Sequence, residues 1–293
     1  MKVWNKMDEN PAFKRAAILG VGLIGGSIAR AIKKRSLAAS IVGSGRSREN
    51  LDIALKLGVI DEALTAEEAA RGADLIILCM PVLSIIPTLE KIASGIEKGA
   101  LVTDVGSTKG KIVREAVKIA DGRFTFIGSH PIAGSEKTGA AASSDTLLDG
   151  RKCIVTPTEG TPKDALDKLK KLWHAAGMEV AEMDTAKHDR VMAAVSHLPH
   201  MAAYGLVNTV RNEDGADELL KFAAGGFRDF TRIAASSPEM WADIVVTNAE
   251  PVTELIRKMK EQLTLIESAI SNNDREKLLE LFGKSQNFRQ KLK

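Results

Sequence analysis

Gly20-Val21-Gly22-Leu23-Ile24-Gly25 follows the apolar run Ala16-Ala17-Ile18-Leu19 and leads into Gly26-Ser27-Ile28-Ala29-Arg30-Ala31-Ile32. That order predicts a strand, a tight turn and a helix, the context in which a G-x-G-x-x-G run binds a dinucleotide. Gly20 permits the turn, Gly22 lets backbone approach a pyrophosphate, and Gly25 allows the helix to pack close to the strand. The helix N-terminus then faces the phosphate charge. Outside this context the same run is an ordinary glycine turn.

The pattern around the turn extends it to a whole domain. Short apolar runs alternate with helical stretches from Phe13 to about Asp184, with strands expected at Ala16 to Leu19, Ser40 to Gly43, Leu75 to Cys79, Leu101 to Asp104, Thr125 to Gly128, Cys153 to Thr156 and Glu179 to Met183. This predicts an α/β class, a Rossmann-type, doubly wound parallel sheet over residues 1–184. Strand-like runs all but vanish afterwards, and residues 185–293 read as an all-helical domain. In its longest segment Val252, Ile256, Met259, Leu263, Ile266 and Ile270 recur at steps of three and four, an apolar seam that either pairs with a second subunit or packs within its own domain.

An acid about 20 residues beyond the turn would hydrogen-bond the ribose 2′-hydroxyl of NAD. Gly45 stands at that place, followed by Arg46, Ser47 and Arg48. Guanidinium and hydroxyl groups would meet a 2′-phosphate with charge-assisted bonds, which favours NADP over NAD without excluding NAD. A solvated arginine loop, or Arg46 stacked on the adenine, is the other reading of the same residues.

Composition narrows the class. Hydrophobic residues make up 44% and charged residues 27%, ordinary for a soluble globular protein, and 41 basic against 38 acidic side chains leave a net charge of +3. So small and dispersed an excess gives no argument for nucleic acid or a membrane surface. The N-terminal stretch lacks the apolar core of a signal peptide, and no later run is long enough to span a bilayer, which predicts a cytoplasmic protein. The two cysteines, Cys79 and Cys153, fit neither a disulfide framework nor a zinc spacing.

Four further motifs carry chemistry. Asp104-Val105-Gly106-Ser107-Thr108-Lys109 follows an apolar strand, which puts Ser107 at the ligand-binding edge of the sheet, as a substrate-orienting hydroxyl or a helix N-cap. In Gly128-Ser129-His130-Pro131-Ile132-Ala133-Gly134-Ser135-Glu136 the proline restricts the backbone at His130. Imidazole titrates near neutrality, so a ring fixed there suits a general base, the alternative being a core histidine satisfied by backbone. Ser196-His197-Leu198-Pro199-His200 places two histidines on one helical face beside a proline that bends the helix. No carboxylate or cysteine completes a ligand set around them, so no metal is expected and packing is the other reading. Gly225-Gly226-Phe227-Arg228-Asp229-Phe230-Thr231-Arg232 brings two arginines, suited to gripping a carboxylate or to a surface ion-pair network.

Taken in order, these motifs resemble the prephenate and arogenate dehydrogenase family of tyrosine biosynthesis, in its short form without a fused mutase or regulatory domain. The likeness spans nearly the whole chain. It implies oxidative decarboxylation: hydride leaves a ring carbon bearing a hydroxyl for NAD or NADP, and the ring carboxylate departs as carbon dioxide. By resemblance His130 takes the hydroxyl proton, and Ser107 bonds to that hydroxyl or to His130 and helps place the nicotinamide. Arg232 holds a substrate carboxylate, and His200 and His197 line the pocket with Ser135. Glu136 and Trp241 lie at its rim, and Asp229 steadies the arginine. Cofactor contacts are implied at Gly20, Gly22, Leu23, Ile24, Gly25, Gly45, Arg46, Ser47, Cys79, Pro81 and Ser107, and a homodimer through the helical domain. Two other functions fit parts of the chain: a β-hydroxyacid-type dehydrogenase, which shares the two-domain plan, and a non-catalytic NADP-binding redox sensor.

Overall fold

The computed structural model describes residues 11–135 and 137–292. In chain order the first part comprises β1 (Phe13–Leu19), α1 (Leu23–Lys34), β2 (Ala38–Ser44), α2 (Arg48–Lys56), β3 (Glu62–Ala63), α3 (Ala66–Ala70), β4 (Leu75–Leu78), α4 (Val82–Ile92), β5 (Leu101–Asp104), α5 (Gly110–Ala120), β6 (Thr125–Pro131), β7 (Lys152–Thr156), α6 (Lys163–Ala175) and β8 (Glu179–Glu182). The strands form one sheet in the order β3-β2-β1-β4-β5-β6-β7-β8. Helices cover both faces, so the strands bury alternate residues on opposite sides. Ala16 and Ile18 of β1, with Leu75 and Ile77 of β4, enter one core; Ala17 and Leu19, with Ile76 and Leu78, enter the other. All eight are at most 1% exposed, which explains why these strands read as unbroken apolar runs.

Strand order reverses between β1 and β4, which pair in parallel from Ala16↔Leu75 to Leu19↔Leu78. The loops leaving their carboxyl ends therefore diverge, opening the crevice in which such folds take a ligand.

The sheet departs from the sequence expectation in three places. β6 and β7 are antiparallel, so the sheet is mostly rather than wholly parallel. β6 runs to Pro131, three residues past the expected end, and His130 sits within the strand opposite Ile154. β3 is only two residues long, too short for any alternation to announce it.

The remaining chain is helical: α7 (Thr185–Met192), a π-helical turn at Ala193–His197, α8 (Leu198–Arg211), α9 (Ala216–Lys221), α10 (Gly225–Thr231) with a tight turn at Arg232–Ala235, α11 (Pro238–Thr247), α12 (Ala249–Ser271) and α13 (Arg275–Arg289). α7, the π turn and α8 run on as one helical stretch from Thr185 to Arg211, the backbone remaining right-handed at Ala193 and Leu198. Pro199, second residue of α8, has no N–H to continue the preceding ladder. The apolar seam of α12 divides: Val252 is buried, Ile256, Met259 and Ile266 are half-buried, and Leu263 and Ile270 are 53% and 59% exposed. α13 adds exposed Leu279, Phe282 and Phe288. No helix among the described residues is long and apolar enough to cross a membrane.

Candidate active site

The glycine turn is built against the loop that follows β4. Gly20 has φ +105°, and a Cβ there would lie 2.5 Å from the Cys79 carbonyl oxygen. A Cβ on Gly25 would run into the Gly20 carbonyl oxygen and stand 3.0 Å from the Cys79 Cβ. Gly22, the N-cap of α1, meets no protein atom within 4 Å in the same sense. Two of the glycines thus serve packing, and the third leaves open approach to the N-terminal N–H groups of Leu23 and Ile24. No acidic residue occupies the first turn of α1, so nothing opposes an anion there. Asn50 braces the turn, donating to the Val21 carbonyl at 2.6 Å and accepting from Ala140 N at 2.8 Å.

At the end of β2 the residues read as a 2′-phosphate site are differently employed. Ser47 caps α2 by accepting from Asn50 N, and Arg48 pairs with Asp52 at 3.0 Å. Gly45 and Arg46 are exposed. Cys79 and Pro81 lie where β4 gives way to α4, and Pro81 is its N-cap. Burial pushes the Cys79 thiol well above its ordinary range.

His130 is positioned by the strand that carries it. Its neighbour Ser129 is tied to Thr103 Oγ1 at 2.8 Å, receives the Trp173 indole N–H at 3.0 Å, and donates its backbone N–H to Asp104 at 3.3 Å. Asp104 also accepts from Gly106 N and from the Lys109 ammonium, both members of that ion pair being fully buried. Burial lowers the Lys109 pKa, with Asp104 opposing. A pair so placed is an anchor that tolerates loss of neither partner.

The His130 ring leads into a row of groups from α7. His130 Nδ1 is 2.9 Å from His188 Nε2, and His188 Nδ1 is 2.8 Å from Asp189 Oδ1. Asp189 also accepts the backbone N–H of Lys109 and of Gly110, each at 2.8 Å. It therefore caps α5 from 79 residues away, and Ser107 does not supply the cap, the alternative use read for it. Ser107 is half-buried in the β5–α5 loop. Burial, and after it the cost of placing a further positive charge near His188, Lys109 and His197, pushes the His130 pKa well below its ordinary value. Burial likewise lowers His188, against the pull of Asp189. Burial raises the Asp189 carboxyl, but the bonds from His188, Lys109 N and Gly110 N outweigh it and leave the pKa below the usual carboxylate value.

A second cluster lies on the helices. His197 is buried, with its Nδ1 3.1 Å from the Asn248 amide nitrogen, which also donates to the Asp189 carbonyl at 2.8 Å. Burial holds the His197 pKa at about 4. His200 stacks on Trp241 with ring centroids 3.6 Å apart, and His197 meets the same indole edge-on at 5.9 Å. Burial lowers the His200 pKa, its bond to the Ser196 carbonyl opposing and the nearby Arg232 charge adding to the fall. Arg232 is exposed on the turn after α10. Trp241, expected at a rim, is instead buried, and its indole N–H has no described partner. Asp229 is exposed and forms no ion pair with Arg232 among the described residues; its Oδ2 lies toward Gly225 instead. Ser135 is exposed in the loop after β6, and Glu136 falls outside the described residues. No group of three or more His, Cys, Asp or Glu among the described residues is arranged to hold a metal.

Sequence reasoning passed over His188, Asp189 and Asn248, and valued Asp104 and Lys109 only as neighbours of Ser107. The one local sign was chemical: two titratable residues side by side in a helix, at positions that the fold then buries.

Comparison with known proteins converges on one family. The nucleotide-binding domain model of prephenate dehydrogenase matches residues 28–182, and its dimerization domain model matches 184–284. The chain is 40% identical over 275 residues to prephenate dehydrogenase of Bacillus subtilis, covering 93% of this chain and 74% of that one. It is 33% identical over 284 residues to cyclohexadienyl dehydrogenase of Zymomonas mobilis, covering 96% and 97%. The crystal structure of prephenate dehydrogenase from A. aeolicus, in complex with hydroxyphenyl propionate and NAD+, superimposes with a TM-score of 0.89 at 36% identity, covering 96% of this chain and 98% of that one. A dinucleotide turn at the sheet's switch point, an imidazole on β6 and a helical second half are thus found in a chain that belongs to the prephenate dehydrogenase family.

Proposed function

We propose that the protein oxidises prephenate to 4-hydroxyphenylpyruvate and carbon dioxide in tyrosine biosynthesis, as an NAD-dependent dehydrogenase. The observation that carries the assignment of roles is His130. It is an imidazole kept neutral by its surroundings, on a strand whose carboxyl end shares an edge with the glycine turn. Nicotinamide bound beside that edge supplies the hydride acceptor.

His130 accepts the proton of the ring hydroxyl through Nε2, the nitrogen not engaged by His188, and Ser107 orients that hydroxyl. Arg232 receives a substrate carboxylate, since prephenate brings two and each is costly to desolvate without a hydrogen-bonded cation. His200, held by Trp241 and the Ser196 carbonyl, forms the pocket wall with His197 behind it. Loss of carbon dioxide makes the ring aromatic and the reaction effectively irreversible.

The residues present fit NAD+ at the turn: an open N-terminus on α1 and a Gly22 that leaves room for a pyrophosphate. The case for NADP+ now rests on Arg46, because Arg48 is paired and Ser47 is a cap. The proposed division of labour gives residues 1–184 to the nucleotide and residues 185–293 to substrate and dimer formation. The exposed apolar residues of α12 and α13 are the proposed contact in a homodimer.

Initial rates of reduced-cofactor formation with prephenate and with arogenate, each with NAD+ and NADP+, test the reading. Turnover of prephenate with NAD+ is expected, and Arg46→Ala should lower only whatever NADP+ rate is present. Folded protein that binds NAD+ yet is silent with both substrates would overturn the assignment.

A further inference from the structure

The row Asp189–His188–His130 has a direction, and the direction starts at the carboxylate. Asp189 already accepts two backbone N–H groups, and its pKa is lowered, so it is ionised and has only lone pairs to offer. His188 must therefore donate to it through Nδ1. A neutral imidazole carries one N–H, so His188 Nε2 is an acceptor, and the ring nitrogen 2.9 Å away, His130 Nδ1, must carry the hydrogen between them. His130 Nε2 is left with a free lone pair. Surroundings that disfavour charge on both rings keep this the resting arrangement.

We propose that Asp189 and His188 are positioning residues that fix the tautomer of His130, so that its unprotonated Nε2 faces the substrate hydroxyl. His188 is 0% exposed and acts only through His130. When Nε2 takes the hydroxyl proton, that proton stays on His130, and the resulting cation donates more strongly to His188, whose ring is polarised by the Asp189 carboxylate. The inference rests on the reading of His130 as the base, and it adds residues that the family motifs of the sequence did not contain. It also gives the α7 residues a part in chemistry carried out on the sheet.

The chain has five histidines, so NMR of isotope-labelled histidine can be assigned by single substitutions. In the wild-type protein with NAD+ both His130 and His188 should carry hydrogen on Nδ1. Asp189→Asn takes away the anion that orders the row, and its amide nitrogen must face the backbone N–H of Lys109 or of Gly110, so the hydrogen of His188 is no longer held on Nδ1 and His130 becomes a mixture of tautomers. Its kcat with prephenate should then fall by about 10²–10⁴, with KM held within about threefold. His188→Phe keeps the ring's bulk while removing the acceptor, and serves equally if Asp189→Asn fails to fold. It should leave His130 a mixture of tautomers and lower kcat by about 10². Added to His130→Asn it should change the residual rate by less than about twofold, because its effect passes through a group already gone. Wild-type His130 with its hydrogen on Nε2, a tautomer unmoved by both substitutions, or a full further loss in the double variant would overturn the proposal. The NMR result stands whether or not prephenate is turned over, so failure of the row and failure of the substrate assignment are separate results.

Discussion

Alanine at Gly25 and at Gly22 separates packing from ligand contact in the nucleotide turn. At Gly25 the new Cβ would strike the Gly20 carbonyl oxygen and crowd Cys79 Cβ at 3.0 Å and Ile18 Cγ2 at 3.1 Å. The first obstacle is backbone in a turn whose φ of +105° at Gly20 is already fixed against Cys79. Overpacking of this kind costs about 1–3 kcal/mol. With a urea m-value of about 2–3 kcal/mol/M the unfolding midpoint drops by roughly 0.3–1.5 M. At Gly22 the Cβ meets nothing within 4 Å, and exchanging the N-cap glycine costs at most about 1 kcal/mol. That methyl nevertheless stands where backbone and pyrophosphate meet, so the Kd for NAD+ by titration calorimetry should rise at least about tenfold, or ~1.4 kcal/mol. Gly22→Ala with an unchanged Kd, or Gly25→Ala with the wild-type midpoint, would refute this division of roles.

Four other outcomes are expected. Arg232→Ala should raise the KM for prephenate by about 10–100-fold, the worth of a charged hydrogen bond, with little change in kcat. His130→Asn should instead lower kcat by about 10²–10⁴, and steady-state kinetics with the pattern exchanged would reverse both assignments. Acid should weaken the fold before carboxylates titrate. His130, His188 and His197 all have pKa values below 6.5 in the folded protein, so below pH 6.5 the unfolded chain binds protons that the native one does not. Stability then falls with falling pH by up to about 1.4 kcal/mol per pH unit for each histidine, for His197 down to about pH 4. Urea midpoints that are flat from pH 6.5 to 5 would contradict this. Finally, Leu263→Glu with Ile270→Glu should shift the sedimenting species from dimer to monomer while the helix content holds, and an unchanged mass would place the contact elsewhere.

The sheet was legible because burial on both faces writes itself into sequence as unbroken apolar runs such as Leu75–Leu78, and the glycine turn because its three glycines answer separate steric demands. Loss of signal began where structure depends on partners distant in sequence. Nothing near Pro131 says that β6 extends through His130, since that extension is made by pairing with Cys153 and Ile154. The π turn at Ala193–His197 could be read only as a bend near Pro199. His188 and Asp189 look like the polar face of an ordinary helix, and only the packing of α7 on the start of α5 brings them to residues 109, 110 and 130. Likewise Trp241 gave no sign that His200 would stack on it from another helix.

Burial gives His130 a property that at first opposes its proposed task. A pKa pushed well below 6.5 guarantees a free lone pair at neutral pH, but it also makes the ring a weaker base than an exposed histidine. Two features offset that weakness without restoring the solvent. The Asp189–His188 row places an anion two hydrogen bonds from the ring, where it stabilises the cation as it forms and stays silent while the ring is neutral. The reaction itself supplies the rest, because departure of carbon dioxide and formation of an aromatic ring draw the proton transfer forward. A strong base would gain little in such a site. It would also be protonated, and so idle, over part of the neutral range in which a desolvated histidine stays ready.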